Sequence, residues 1–209
     1  TEAGVKTLIL YKQNGKVTSV TVDMGAPYFE PSRLPTTLTA VPLHPLNLLA
    51  GSGAKAMQTA VSAGLLPAQA VLNAPLVVDG TEYKASCVGV GNPHCVVFSK
   101  FVDKEPVERI GTLFEHHAAF PERTNTEFVR VVNSHELKMR TWERGNGETL
   151  ACGTGACAAV IAAVLNGYCP LDEDITVQVR GGTLHVRYTG ETVLLTGGTM
   201  LCYEGSVEV

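Results

Sequence analysis

Cys152 is followed at once by Gly153-Thr154-Gly155 and then by the apolar run ACAAVIAAVLN, so a thiol stands where a helix should begin. Unpaired backbone N–H groups and the positive end of the helix dipole gather at such a terminus, where they favour a thiolate and hold a carboxylate. The spacing therefore predicts a reactive cysteine with a lowered pKa beside an anion cradle. Cys157, one turn deeper among alanines, reads as an inert packing residue. The segment that delivers Cys152, ERGNGETLACGTGAC from Glu143, adds glycines, two acids and Arg144, whose planar guanidinium suits a carboxylate. Two further groups carry chemistry-bearing residues. Gly91-Asn92-Pro93-His94-Cys95 is a turn that runs into a β-type segment, and Phe120-Pro121-Glu122-Arg123-Thr124-Asn125 ends on an asparagine that opens a strand.

Other chemistries fit less well. Gly153-x-Gly155-x-x-Ala158 has the form of a dinucleotide fingerprint, but a polar loop separates it from the strand ending near Trp142, whereas that motif needs the strand to run straight into the first glycine. Cys152, Cys157 and Cys169 lack the paired short spacings of a structural zinc site, so no metal is expected. The net charge of −4 and a pI near 5.9 argue against a nucleic-acid groove or an anionic membrane surface, which leaves a small-molecule ligand. No apolar run approaches the roughly 20 residues that cross a bilayer, and TEAGVKTLIL lacks the basic start and cleavage site of a signal peptide. Six cysteines in 209 residues are too few for a disulfide scaffold, so reduced thiols and a cytoplasmic location are expected.

The elements that must position these residues are mostly strands. Alternation around Asn14-Gly15 predicts an opening β-hairpin. Five prolines between Pro27 and Pro45 exclude a long helix there. The run Ala54–Leu66 reads as a helix stopped by Pro67. Strands are expected at 71–78, 83–90, 95–98, 126–132, 136–142, 175–180, 183–188, 192–195 and 200–203, with a short helix over 107–117. The helix from Gly153 to the Asn166-Gly167 stop is apolar on every side and has no face for water, so something must enclose it. Strands before and after a single greasy helix predict an α+β fold, a curled sheet wrapped around a central helix.

Together the motifs resemble the diaminopimelate epimerase family. MGAPYFEP from Met24, GNPHCVVF from Gly91, FPERTN from Phe120 and ERGNGETLACGTGACAA from Glu143 look like its signature segments, in its order. The resemblance implies the diaminopimelate epimerase-like fold, with a curled mixed or antiparallel, barrel-like sheet around the helix. It implies a cofactor-independent amino-acid epimerase that interconverts LL- and meso-diaminopimelate with two cysteines, one on each face of the substrate Cα. Cys152 matches one of them. Asn92, Asn125, Glu143, Arg144, Gly153 and Thr154 match substrate-contacting positions, and His94 with Glu143 matches the pair that tunes the cysteines. A homodimer is implied for the full-length parent.

Family members also carry a Cys-Gly-Asn segment, which supplies the opposing cysteine and is not found in this sequence. Residues 1–12 are therefore read as a remnant strand of an N-terminal domain, 13–197 as the C-terminal epimerase domain, and 198–209 as a strand returning to the N-terminal domain. On that reading the chain carries half of a two-thiol site and does not epimerise alone. The alternatives are a related racemase or isomerase of the same fold, and a non-catalytic ligand-binding or assembly module.

Overall fold

The computed structural model describes residues 4–42, 67 and 69–207, so the helix expected at Ala54–Leu66 lies outside the described residues. The opening hairpin forms as its turn dictates. Strand β1 (Leu8–Gln13) pairs antiparallel with β2 (Lys16–Gly25), and Asn14 and Gly15 both take positive φ, 50° and 78°. Those two left-handed residues match the twist of the flanking strands. The proline-rich stretch that follows carries only an isolated bridge from Tyr28 to Gly89 before the short strand β3 (Val41–Pro42), which pairs with β4 (Gln69–Ala70).

The remaining strands are β5 (Ala74–Val78), β6 (Thr81–Gly89), β7 (Pro93–Phe98), β8 (Asn125–Asn133), β9 (Glu136–Glu143), β10 (Gly147–Thr149), β11 (Ile175–Val179), β12 (Gly182–Tyr188) and β13 (Val193–Gly198). Helix α1 (Val107–Glu115) lies between β7 and β8, and helix α2 (Gly153–Leu165) between β10 and β11. Among the described residues, eleven strands make one sheet in the order β1-β2-β13-β12-β11-β9-β8-β7-β6-β5, with β10 attached to β9. The pairs β7·β8 and β9·β11 are parallel and the others antiparallel, so the sheet is mixed. It curls without closing: the path ends at β1 and β5.

The curl is set by α2, which packs against β6, β7, β8, β9, β11, β12 and β13. Every residue from Gly155 to Leu165 is buried. Alanine and glycine dominate the helix, and their small side chains let strands approach from all sides at core packing density. Its C-terminus is pinned by the Asn166 side chain, whose Nδ2 donates to Ala162 O at 2.8 Å and to Ser86 Oγ at 3.2 Å. Gly167, at φ 73°, then turns the chain away. On the other face of β5 to β9 a second core forms around α1, with the Phe114 and Phe128 rings edge to face at 5.4 Å.

The strand expected at Met200–Tyr203 is absent. Both edges of β13 are taken, by β12 and β2, so the chain leaving Gly198 meets no open ladder beyond the bond from Thr199 N–H to Thr18 O. Met200, Leu201 and Tyr203 are exposed as a result. Among the described residues no helix is long and apolar enough to cross a membrane.

Helix α1 reaches the sheet through Gly111, where an added methyl would stand 2.4 Å from the Trp142 ring. Gly111→Ala should therefore destabilise the protein. Overpacking costs about 1–3 kcal/mol, against a gain of about 1 kcal/mol in helix propensity. A lower urea midpoint is the expected reading, and a raised one would show that Trp142 yields freely.

Candidate active site

Side chains alternate faces along a strand, and the ladder register decides which of them meet. In the parallel pair β7·β8, His94 lies opposite Asn125 and Val96 opposite Glu127. In the antiparallel pair β8·β9, Glu127 lies opposite Thr141 and Val129 opposite Met139. These residues share the face that looks onto α2. The row is apolar along the helix body, at Val96, Val129 and Met139, all in the core cluster that contains α2. Toward the helix N-terminus it becomes polar, and His94, Asn125, Glu127 and Thr141 are all buried there.

Cys152 closes this row from the helix side. It is the N-cap of α2, with extended backbone at φ −129° and ψ 113°. Its Sγ accepts the Gly155 N–H at 3.3 Å and lies 3.5 Å from Thr154 Oγ1. The first-turn amides of Gly153 and Thr154 have no intrahelical acceptor and remain as donors at the same end. Gly155 lets the thiol and a carboxylate share one helical turn: a methyl group there would stand 2.6 Å from Glu127 Oε1 and 3.2 Å from Cys152 Sγ.

His94 is held at both ring nitrogens, Nδ1 at 2.8 Å from Glu127 Oε1 and Nε2 at 2.9 Å from Asn92 Oδ1. The carboxylate bonded to the histidine is thus Glu127, not Glu143. Glu143 Oε1 instead accepts the Thr149 hydroxyl at 2.5 Å. Glu127 is absent from the residues singled out in the sequence. The signal that marks it is an acid at an inward position of β8, in register with the buried Val96.

Asn125 ties two site segments together. Its Nδ2 donates to Pro93 O at 2.9 Å and its Oδ1 accepts the Arg144 N–H at 2.9 Å, so both ends of its amide serve internal bonds. The Arg144 guanidinium is exposed, with Nη1 donating to Glu122 O at 3.0 Å. Its loop is anchored by Glu115, buried at the end of α1, whose carboxylate accepts Trp142 Nε1–H at 2.7 Å and Gly145 N–H at 3.1 Å. Strand β10 is fixed by Glu148, which takes a two-pronged contact from Arg140 at 2.8 and 2.9 Å. The structure therefore gathers Asn92, His94, Asn125, Glu143, Arg144, Cys152, Gly153 and Thr154 on three adjoining segments.

The lowered thiol pKa expected for Cys152 is not found. Burial and then the nearby Glu127 charge push it up to about 11, and the Thr154 hydroxyl and Gly155 amide offset only part of that rise. A helix terminus acts over one turn, whereas desolvation acts on the whole thiolate. Cys157 and Cys169 are pushed higher, to about 12, by burial. The exposed Cys202, not Cys152, is therefore the thiol most open to alkylation in the ligand-free chain. Cys87 and Cys95 face each other across β6 and β7 inside the α1 core. All six thiols are unpaired, and only Cys152 borders the polar row.

The family model described as diaminopimelate epimerase matches residues 86–201. The diaminopimelate epimerase of Desulfovibrio desulfuricans is 42% identical over 207 residues, which cover 98% of this chain and 64% of that protein. That of Acetivibrio thermocellus is 40% identical, covering 100% of this chain and 65% of the relative. The chain thus spans under two thirds of the length of these relatives. Among solved structures, the probable proline racemase of Agrobacterium radiobacter superposes with a TM-score of 0.59 at 11% identity, covering 99% of this chain and 58% of the other. A hydroxyproline epimerase of Agrobacterium vitis gives 0.55 at 13% identity, covering 94% and 54%. At those identities the likeness is one of fold.

Proposed function

The chain belongs to the diaminopimelate epimerase family, and on that premise we propose that it acts on the α-carbon of diaminopimelate, using Cys152 as an acid/base group in the interconversion of the LL and meso forms. The observation that carries this reading is Cys152 Sγ capping α2 beside the unused amides of Gly153 and Thr154. A substrate α-carboxylate seated on those amides places Cα next to the thiol. The same donors then stabilise the negative charge that builds as the α-proton leaves. Arg144 is exposed at the rim, held by Glu122 O through Nη1 alone, and can grip the distal carboxylate with its planar fork, and Glu143 is placed to receive an ammonium group. Asn92 orients His94, and Asn125 holds the turn at Pro93 to the Arg144 backbone. No cofactor is needed for this assignment.

Inversion requires acid and base on opposite faces of Cα. Because only Cys152 among the six cysteines borders the site, we assign the opposing group to a companion domain. Residues 13–197 then form the unit that bears Cys152, and 1–12 and 198–209 connect to the companion. The half-exposed Leu8, Ile9, Leu10 and Tyr11 and the exposed Met200, Leu201 and Tyr203 support an apolar contact there. Six free thiols favour a reducing, cytoplasmic setting.

The test is a titration of meso-diaminopimelate into the 15N-labelled chain. The Gly153 and Thr154 amides should shift, and Arg144→Lys, which keeps the charge but loses the fork, should weaken binding about tenfold or more. Shifts confined to other regions, or undiminished binding by the lysine variant, would refute the assignment.

A further inference from the structure

Glu127 is a buried acid with no part in the substrate contacts described above, and its two oxygens have different surroundings. Oε1 bonds His94 Nδ1 at 2.8 Å and lies against Gly155, on the helical turn that bears Cys152. Oε2 is fully buried and has no hydrogen-bond partner among the described residues. The residue opposite Glu127 across the ladder is Thr141, whose Oγ1 is likewise buried without a partner. A core that leaves carboxylate and hydroxyl oxygens unsatisfied forfeits stability. Such an arrangement persists where the group serves chemistry.

The contacts of His94 show what that service is. Its Nδ1 bonds Glu127 Oε1 at 2.8 Å and its Nε2 lies against the Asn92 side-chain amide at 2.9 Å, so the ring is clamped between the two. That clamp holds the Glu127 carboxyl group in place beneath the helix. Of the two partners, Glu127 is the one packed against the turn of Cys152.

We propose that Glu127 is a positioning residue for the thiol chemistry: braced by His94 against the first turn of α2, its carboxylate keeps Cys152 in the protonated form until substrate arrives. This rests on the assignment of Cys152 as an acid/base group, but its consequences are visible without substrate. The titratable groups that face Cys152 are Glu127 from β8, Glu143 from the end of β9 and Cys157 from its own helix. Glu127 is faced in turn by His94 from β7, and its charge is also felt by Cys95 on the opposite face of the sheet.

The experiment has two readouts on the 209-residue chain. The rate of Cys152 alkylation, mapped by mass spectrometry, is followed against pH for wild type, Glu127→Gln and Glu127→Asp. The glutamine variant keeps the shape and removes the charge, so its alkylation midpoint should fall by at least one pH unit, with at least tenfold faster labelling near pH 8. Glu127→Asp, which keeps the charge, should stay near wild type. An unchanged midpoint in a folded glutamine variant would overturn the proposal. Independently, Cys152 of the wild-type chain should be alkylated far more slowly at pH 7 than the exposed Cys202, and faster labelling of Cys152 would overturn the proposal even if the variant did not fold. Neither readout uses diaminopimelate, so failure of the proposed substrate leaves a different pattern from failure of this role.

Discussion

Replacing Cys152 with alanine should remove hydrogen exchange at the α-carbon of diaminopimelate, lowering its rate by about 10²–10⁴-fold, the contribution of a well-placed acid/base group. The size of the effect follows from the lack of a substitute. Cys157 is buried one turn deeper in α2, Cys169 lies in the same core, and Cys87 and Cys95 lie behind the sheet in the α1 core. Glu127 is the nearest other base, but Oε1 is engaged with His94 and the residue is sealed beneath the helix turn. The alanine variant should stay folded, because the Sγ bond to the Gly155 amide is a single capping interaction whose loss costs about 1 kcal/mol. Loss of exchange with retained substrate binding is thus the expected pair of results. Exchange that survives the substitution would move the chemistry elsewhere.

The largest effect on stability is expected from Gly155→Ala. The new methyl would stand 2.6 Å from Glu127 Oε1, an atom with no room to retreat because its carboxylate is buried and bonded to His94. Overpacking costs about 1–3 kcal/mol, and breaking the buried hydrogen bond to His94 so that its partners are left unsatisfied costs about 1–3 kcal/mol more. Alanine's better helix propensity returns only about 1 kcal/mol. Set against a typical stability of about 5–15 kcal/mol, this should unfold a large part of the protein at modest urea concentrations. Gly153→Ala is the matched comparison. Its methyl would meet only the tip of Leu195 at 3.0 Å, a flexible side chain that can move, so the loss should be much smaller. Equal stability of the two variants would mean that Glu127 is not locked against α2.

How far these features can be read from the sequence depends on whether they are local. The Asn14-Gly15 hairpin and the start and stop of α2 are written in adjacent residues, and both form as expected. The enclosure of α2 follows from its composition, since a helix without a polar face must be covered. Glu127 could not be found this way. Its meaning comes from the parallel register that sets β8 beside β7, thirty-three residues away along the chain at His94. The pKa of Cys152 departs from the sequence expectation for a similar reason: the helix terminus is visible in Gly153-Thr154-Gly155, but the burial and the carboxylate that outweigh it are tertiary. The strand expected at 200–203 failed because alternation alone does not reveal that both edges of β13 are occupied.

The most direct test of the central claim, that the Cys152 thiol exchanges a proton with the substrate α-carbon, is the pH profile of deuterium entry into LL-diaminopimelate in heavy water, with configuration followed at the same time. The thiolate is the form that removes the α-proton, and only about one part in ten thousand is present at pH 7 when the pKa is about 11. Deuterium should therefore enter about tenfold faster per pH unit and level off toward that value, with the LL configuration retained because a single thiol works from one face. A flat profile through neutral pH, or conversion of LL to meso by the 209-residue chain alone, would contradict the account.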